Sequence, residues 1–203
     1  MASSADEEPA VGRGFRLLAA AVVAFWLIEF IDHYLLSDRL QRGGIQPRHL
    51  DGLDGVLWAP FLHADWGHLV ANTFPFLILG GLVALRGVQR LLIVTVVSLI
   101  VGGGLTWLLG SSGNHVGASG VVFGYFGALL GAGLFERRPL SIAPALIALM
   151  MYGGLIAGFV PTAGVSWEGH LFGFIGGLLC ARSLADRKPR FEWQADDWVD
   201  DGL

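Results

Sequence analysis

The chain has 203 residues, 54% of them hydrophobic and 15% charged, with a formal net charge of −4. Soluble domains carry about 25% charged residues, so this composition excludes an ordinary soluble enzyme, and the length allows about one domain. Much of the acid gathers in two tails, Asp6, Glu7 and Glu8 at one end and Glu192, Asp196, Asp197, Asp200 and Asp201 at the other. Nothing suggests a nucleic-acid face. The single cysteine, Cys180, excludes an intramolecular disulfide.

Stretches of about 17–25 apolar residues are transmembrane-helix candidates. The chain has six: Phe15–Leu36, His68–Leu85, Leu91–Leu109, Ser119–Phe135, Leu140–Val160 and His170–Leu184. They predict an all-α membrane protein, since six long runs without strict alternation do not fit a membrane barrel. The acidic start and the length of the first run argue against a cleavable signal peptide. Residues 1–14 and 185–203 are expected to be acidic cytoplasmic tails flanking a body over 15–184.

The first span ends in Glu29, Asp32 and His33, a group that invites a transporter reading because intramembrane ionisable residues mark ion paths. The loop Ser37–Trp66 carries Leu53, Val56, Leu57, Trp58, Phe61 and Leu62, which suit a membrane interface. His63, Asp65, His68 and Asn72 follow. His68 and Asn72 share one helical face, both can donate hydrogen bonds, and Asp65 is placed to cap the second span. Pro75 lies inside that span and can kink it.

Lysine and arginine orient the chain. With the N-terminus inside, ten of the thirteen cationic residues are cytoplasmic; the other three, Arg39, Arg42 and Arg48, lie in the first loop. Both termini are then cytoplasmic. The second, fourth and sixth spans run inward, which sets His68, Ser119 and His170 at one depth near the outer face.

Ser119 lies in Gly117-Ala118-Ser119-Gly120 and heads the fourth span. A serine hydroxyl needs a base to become a nucleophile, and His170, heading the sixth span, is the candidate. The N–H groups at the start of the fourth helix suit an oxyanion. Gly120, Gly124, Gly127 and Gly131 on one span, and Gly169, Gly173 and Gly177 on the other, let two backbones approach closely. A short serine side chain needs that closeness to reach an imidazole.

These motifs resemble those of the rhomboid intramembrane serine proteases. His63-x4-His68-x3-Asn72, Gly117-Ala118-Ser119-Gly120 and His170-x2-Gly173-x3-Gly177 occur in the family's order on the second, fourth and sixth spans. The resemblance implies a six-transmembrane-helix rhomboid-like bundle with a dyad of Ser119 and His170. It implies an oxyanion hole of His68, Asn72 and the Ser119 N–H, and a structural role for His63. It implies single-span membrane protein substrates cut near the outer face, in a bacterial cell membrane, with no metal or cofactor. Gly117, Phe123 and Gly173 support the site. At two positions the chain departs from the family: Phe123 stands where a tyrosine is common, and Trp58-Ala59 where a Trp-Arg pair is common. No carboxylate is placed to orient His170, because Glu168, two residues earlier on a helix, points elsewhere.

Two other readings have distinct signatures. An inactive rhomboid-like protein that binds membrane clients would usually lack the serine or the histidine. A zinc site from His63, His68 and His170 lacks the i, i+4 ligand spacing of helical zinc motifs. Substrate identity and oligomeric state are open at this level.

Overall fold

The computed structural model describes residues 10–185. Among them the chain forms α1 (Ala10–Leu35), a first loop with the short helix α2 (Gly55–Trp58), α3 (Trp66–Ala84), α4 (Val88–Leu109), α5 (Ser119–Glu136), α6 (Pro139–Tyr152) and α7 (Trp167–Ser183). There is no β-strand among the described residues. An isolated antiparallel bridge pairs Ile45 of the first loop with His115, just before α5. The acidic residues of the two tails, and Arg187, Lys188 and Arg190 of the charge count, lie outside the described residues, whereas residues 10–14 of the expected N-terminal tail already belong to α1.

Among the described residues five segments are long and apolar enough to cross a membrane: Gly12–Leu35, Trp66–Ala84, Val88–Leu109, Ser119–Glu136 and Pro139–Phe159. In a bilayer the backbone must satisfy its own polar groups, and a helix does so within one segment. α7 is shorter, at 17 residues.

Helix ends differ from the apolar runs because hydropathy marks apolar length, whereas caps and turns mark where helical bonding starts. α3 begins at Trp66, two residues before His68, because Asp65 sits extended and its carboxylate accepts the His68 N–H at 2.8 Å. α7 begins at Trp167, three residues before His170. The fifth run is α-helical only to Tyr152 and continues as 3-10 turns over Gly153–Phe159. α5 ends at Arg137, which is left-handed (φ 53°), and Pro139 opens α6. Pro75 lies within α3 without ending it.

α5 is the central helix, packed against α3, α4, α6 and α7. Its Val121, Val122, Tyr125, Phe126 and Leu129 are buried. The outer helices expose large apolar side chains such as Phe74, Leu140 and Met150, the distribution a bilayer solvent favours. Where α5 meets α7 the glycines are indispensable: a Cβ on Gly173 would strike the Gly120 carbonyl oxygen, and one on Gly177 the Gly124 carbonyl oxygen. The two predicted glycine faces therefore meet backbone to backbone, at the end of the bundle that carries Ser119 and His170.

At the opposite end Glu136 is clasped by Arg86, with both carboxylate oxygens at 2.6 Å, and by Arg90 at 3.3 Å; Ser141 also donates to it. This ties the α3–α4 turn to the α5–α6 turn.

Candidate active site

Ser119 is the first residue of α5, and its Oγ lies 2.9 Å from His170 Nε2. The other ring nitrogen, Nδ1, lies 2.9 Å from the carbonyl oxygen of Gly158. A carbonyl only accepts, so Nδ1 carries the proton and Nε2 of the neutral ring presents a lone pair to the serine O–H. A main-chain carbonyl here does the orienting that a carboxylate does in a Ser-His-Asp triad. Glu168 is turned away from His170, and its Oε1 accepts the Ser111 N–H at 2.9 Å.

Phe123, one helical turn after Ser119, stacks flat on the imidazole, with ring centroids 4.2 Å apart and planes 6° apart. The departure from tyrosine therefore keeps the stacking surface. Gly158 must be small: a Cβ there would lie 2.7 Å from the Phe123 ring and 3.0 Å from His170 Nδ1.

His68 and Asn72 reach the same site. Their neighbour is Gly117, whose φ of +110° suits glycine. A Cβ on Gly117 would lie 2.7 Å from His68 Nε2 and 3.5 Å from Asn72 Nδ2. His68 Nδ1 accepts from the Ala64 N–H at 3.4 Å, so its Nε2 is the donor nitrogen of the neutral ring. Asn72 Nδ2 donates one hydrogen to the His68 carbonyl at 3.0 Å and keeps a second. Both side chains line one cavity of about 900 Å³ with Ser119, Phe123 and His170.

His63 stands behind this group, 1% exposed, with its ring edge-on to His68 at 5.3 Å and tilted on Phe25 at 5.7 Å. Neither ring nitrogen has a hydrogen-bond partner. Burial pushes its pKa down from 6.5 to about 4, reinforced by the charge of His68; the Phe61 carbonyl lies near enough to oppose this in part, without the geometry of a hydrogen bond.

The first loop is held to the site through the main chain. The Gly117 N–H donates to the Ala59 carbonyl at 2.8 Å, and Ile45 and His115 exchange both backbone bonds at 2.9 Å. Ala59 thus fixes the loop without the arginine expected beside Trp58. Two members of the α1 ionisable group also serve this loop. The Asp32 carboxylate accepts the N–H groups of Leu40 at 2.7 Å and Gln41 at 3.1 Å, and His33 Nδ1 meets Asp38 at 3.1 Å.

Gly158 and His115 carry no signal in the sequence. A backbone carbonyl leaves no mark in a sequence, and a histidine in a polar, glycine-rich connection carries no pattern.

A helical membrane-type bundle that sets a serine against a histidine, with amide and imidazole donors beside them, defines a class: a serine-hydrolase-like site built on membrane helices. The Rhomboid domain model matches residues 53–187, and the chain belongs to the rhomboid family. It is a multi-pass integral membrane protein. It is 44% identical over 181 residues to the uncharacterized protein Rv1337 of Mycobacterium tuberculosis, covering 83% of this chain and 75% of that one. It is 44% identical over 177 residues to the uncharacterized protein ML1171 of Mycobacterium leprae, covering 81% and 70%. It is 36% identical over 129 residues to the rhomboid protease GlpG of Yersinia pestis, covering 60% and 44%.

Proposed function

We propose that this chain is an intramembrane serine endopeptidase that cuts transmembrane segments of single-span membrane proteins near the outer face of a bacterial cell membrane. In this reading six helices cross the bilayer, α7 included, both termini are cytoplasmic, and the acidic segments 1–14 and 185–203 are cytoplasmic tails. The observation that carries it is the bond of 2.9 Å between His170 Nε2 and Ser119 Oγ, with Nδ1 anchored on Gly158.

The chemistry follows from those atoms. Ser119 Oγ attacks the scissile carbonyl carbon while its proton passes to His170 Nε2. The carbonyl oxygen becomes an oxyanion, stabilised by His68 Nε2–H, an Asn72 amide hydrogen and the Ser119 N–H at the start of α5. The tetrahedral intermediate collapses, the C–N bond breaks, and the leaving amine takes the proton from His170. Water then attacks the ester carbon and gives a proton to His170; the C–Oγ bond breaks as His170 returns that proton to Ser119 Oγ, and the acid leaves. The imidazolium formed in each half is held by the Gly158 carbonyl and the flat face of Phe123.

A transmembrane helix hides its carbonyls in its own hydrogen bonds. The substrate segment must therefore unwind at the cut, and small or helix-breaking residues there are favoured. A panel of single-span segments in liposomes tests the substrate class, with Ser119→Ala as control. Segments with Gly or Pro near the outer end are cut, and uninterrupted Leu-rich helices are not. Equal cleavage of both kinds would contradict the unwinding requirement, and cleavage by Ser119→Ala would contradict the enzyme.

A further inference from the structure

The segment that delivers Ser119 is soft in sequence. Gly110, Ser111, Ser112, Gly113 and Gly117 precede the serine, with Gly113 and Gly117 at positive φ. Glycine loses more backbone freedom on ordering than any other residue, so this stretch holds a fixed path only where something ties it. The glycine contacts between α5 and α7 fix the helix bodies. They leave the two entry segments to be fixed separately.

Gly117 and Asn114 tie this stretch to the first loop, through Ala59 and Gln41, and His115, four residues before Ser119, ties it to the start of α7 as well. Its backbone is paired in both directions with Ile45. Its ring Nε2 lies 3.0 Å from the Ser111 carbonyl, so Nε2 is the donor. Nδ1 is turned to Ser166, whose Oγ stands 2.6 Å from it. Ser166 is the N-cap of α7, where a serine hydroxyl ordinarily takes one of the unpaired N–H groups of its own helix. It makes no such capping bond and is turned to His115 instead. Glu168, 4% exposed, adds a second tie by accepting the Ser111 N–H. The His170 N–H donates to the Ser166 carbonyl at 3.1 Å. The two reacting side chains therefore hang from opposite ends of one short path, running from Ser119 back to His115, across to Ser166, and on to His170.

We propose that His115 is a positioning residue for the dyad, its bond to Ser166, braced by the Glu168–Ser111 bond, setting the spacing between the entry to α5 and the first turn of α7. This inference rests on the dyad reading above. Nδ1 of His115 faces Ser166 Oγ and not Ser119, whose Oγ meets His170 Nε2, so His115 is not a second base for that serine. It acts through Ser166 on where His170 stands relative to Ser119. A displacement of about 1 Å between reacting groups costs up to about 100-fold in rate, which is the scale on which losing the tie should register.

The test is steady-state cleavage of a single-span reporter by the full chain, comparing His115→Ala, Ser166→Ala, their double variant, His115→Gln and Ser119→Ala. His115→Ala and Ser166→Ala should each lower kcat by about tenfold to 100-fold with KM within about twofold. The double variant should be no slower than the slower single, because the two act through one bond. His115→Gln, which keeps a donor and an acceptor, should recover part of the rate. An unchanged kcat in His115→Ala, multiplied losses in the double variant, or a loss confined to KM would each overturn the proposal. If His115→Ala does not fold, Ser166→Ala and His115→Gln carry the same test. Cleavage retained by Ser119→Ala would remove the dyad and anything to position. A full rate in His115→Ala beside an inactive Ser119→Ala removes the tie alone.

Discussion

The Nδ1–H of His170 donates to the carbonyl oxygen of Gly158 at 2.9 Å, and this bond settles which ring nitrogen faces Ser119. Gly158 belongs to the 3-10 turns that follow α6, so a main-chain carbonyl outside both α5 and α7 sets the tautomer of His170. A methyl group at position 158 would press on Phe123 and on Nδ1 itself. Gly158→Ala should therefore lower kcat by about tenfold to 100-fold with little change in KM. Gly154→Ala, with open space around it, should cleave at the wild-type rate. Reporter cleavage in liposomes checks both.

His68 Nε2 crowds Gly117, two residues before Ser119, and Asn72 Nδ2 lies beside it at ordinary contact distance. If they receive the oxyanion, removing either costs about 2.7–4 kcal/mol of barrier, a fall of about 100-fold to 1,000-fold in kcat. His68→Ala and Asn72→Ala should show this fall with KM nearly unchanged, since a donor to the oxyanion acts in the transition state more than in the ground state. A loss expressed mainly in KM would place these side chains in ground-state binding instead.

The approach of α5 to α7 leaves no room for a side chain at Gly173 or Gly177. Gly173→Ala should destabilise the fold by about 1–3 kcal/mol, the cost of overpacking, and should also slow cleavage by moving α7 off α5. Gly104→Ala on α4, with nothing within 4 Å of the added methyl, should be neutral or slightly stabilising. Thermal unfolding in detergent distinguishes them.

Much of this site was legible in the chain because polar groups are expensive at membrane depth. Ser119, His170, His68 and Asn72 stand out at the heads of apolar runs. The period-four glycines announce a close helix contact, and Asp65 announces a cap. Other features carry no such signal. Any residue has a carbonyl, so Gly158 could not be picked out as the partner of His170. The starts of α3 at Trp66 and α7 at Trp167 are set by hydrogen bonding, which hydropathy does not measure. The change from α-helix to 3-10 turns at Gly153 falls within an unbroken apolar run. Asp32 suggested an ion path, yet its carboxylate holds the N–H groups of Leu40 and Gln41, a role visible only once the first loop has folded back over α1.

His63 links the site to acid sensitivity. Its pKa is about 4 in the fold against 6.5 for an ordinary histidine. Between these values the unfolded chain binds a proton that the folded chain does not, so stability rises with pH across that window and is lost as pH falls from 6.5 towards 4. The slope approaches about 1.4 kcal/mol per pH unit for one such group. His63→Leu should flatten this part of the profile. A profile of unfolding midpoint against pH that is as steep in His63→Leu as in the wild type would assign the acid sensitivity to other groups.

Whether His170 makes Ser119 nucleophilic is read by labelling with a fluorophosphonate followed by peptide mapping. A single adduct is expected on Ser119 in the folded wild-type chain, with labelling lost in His170→Ala. An adduct on another residue, or labelling of Ser119 at the wild-type rate in His170→Ala, would contradict it.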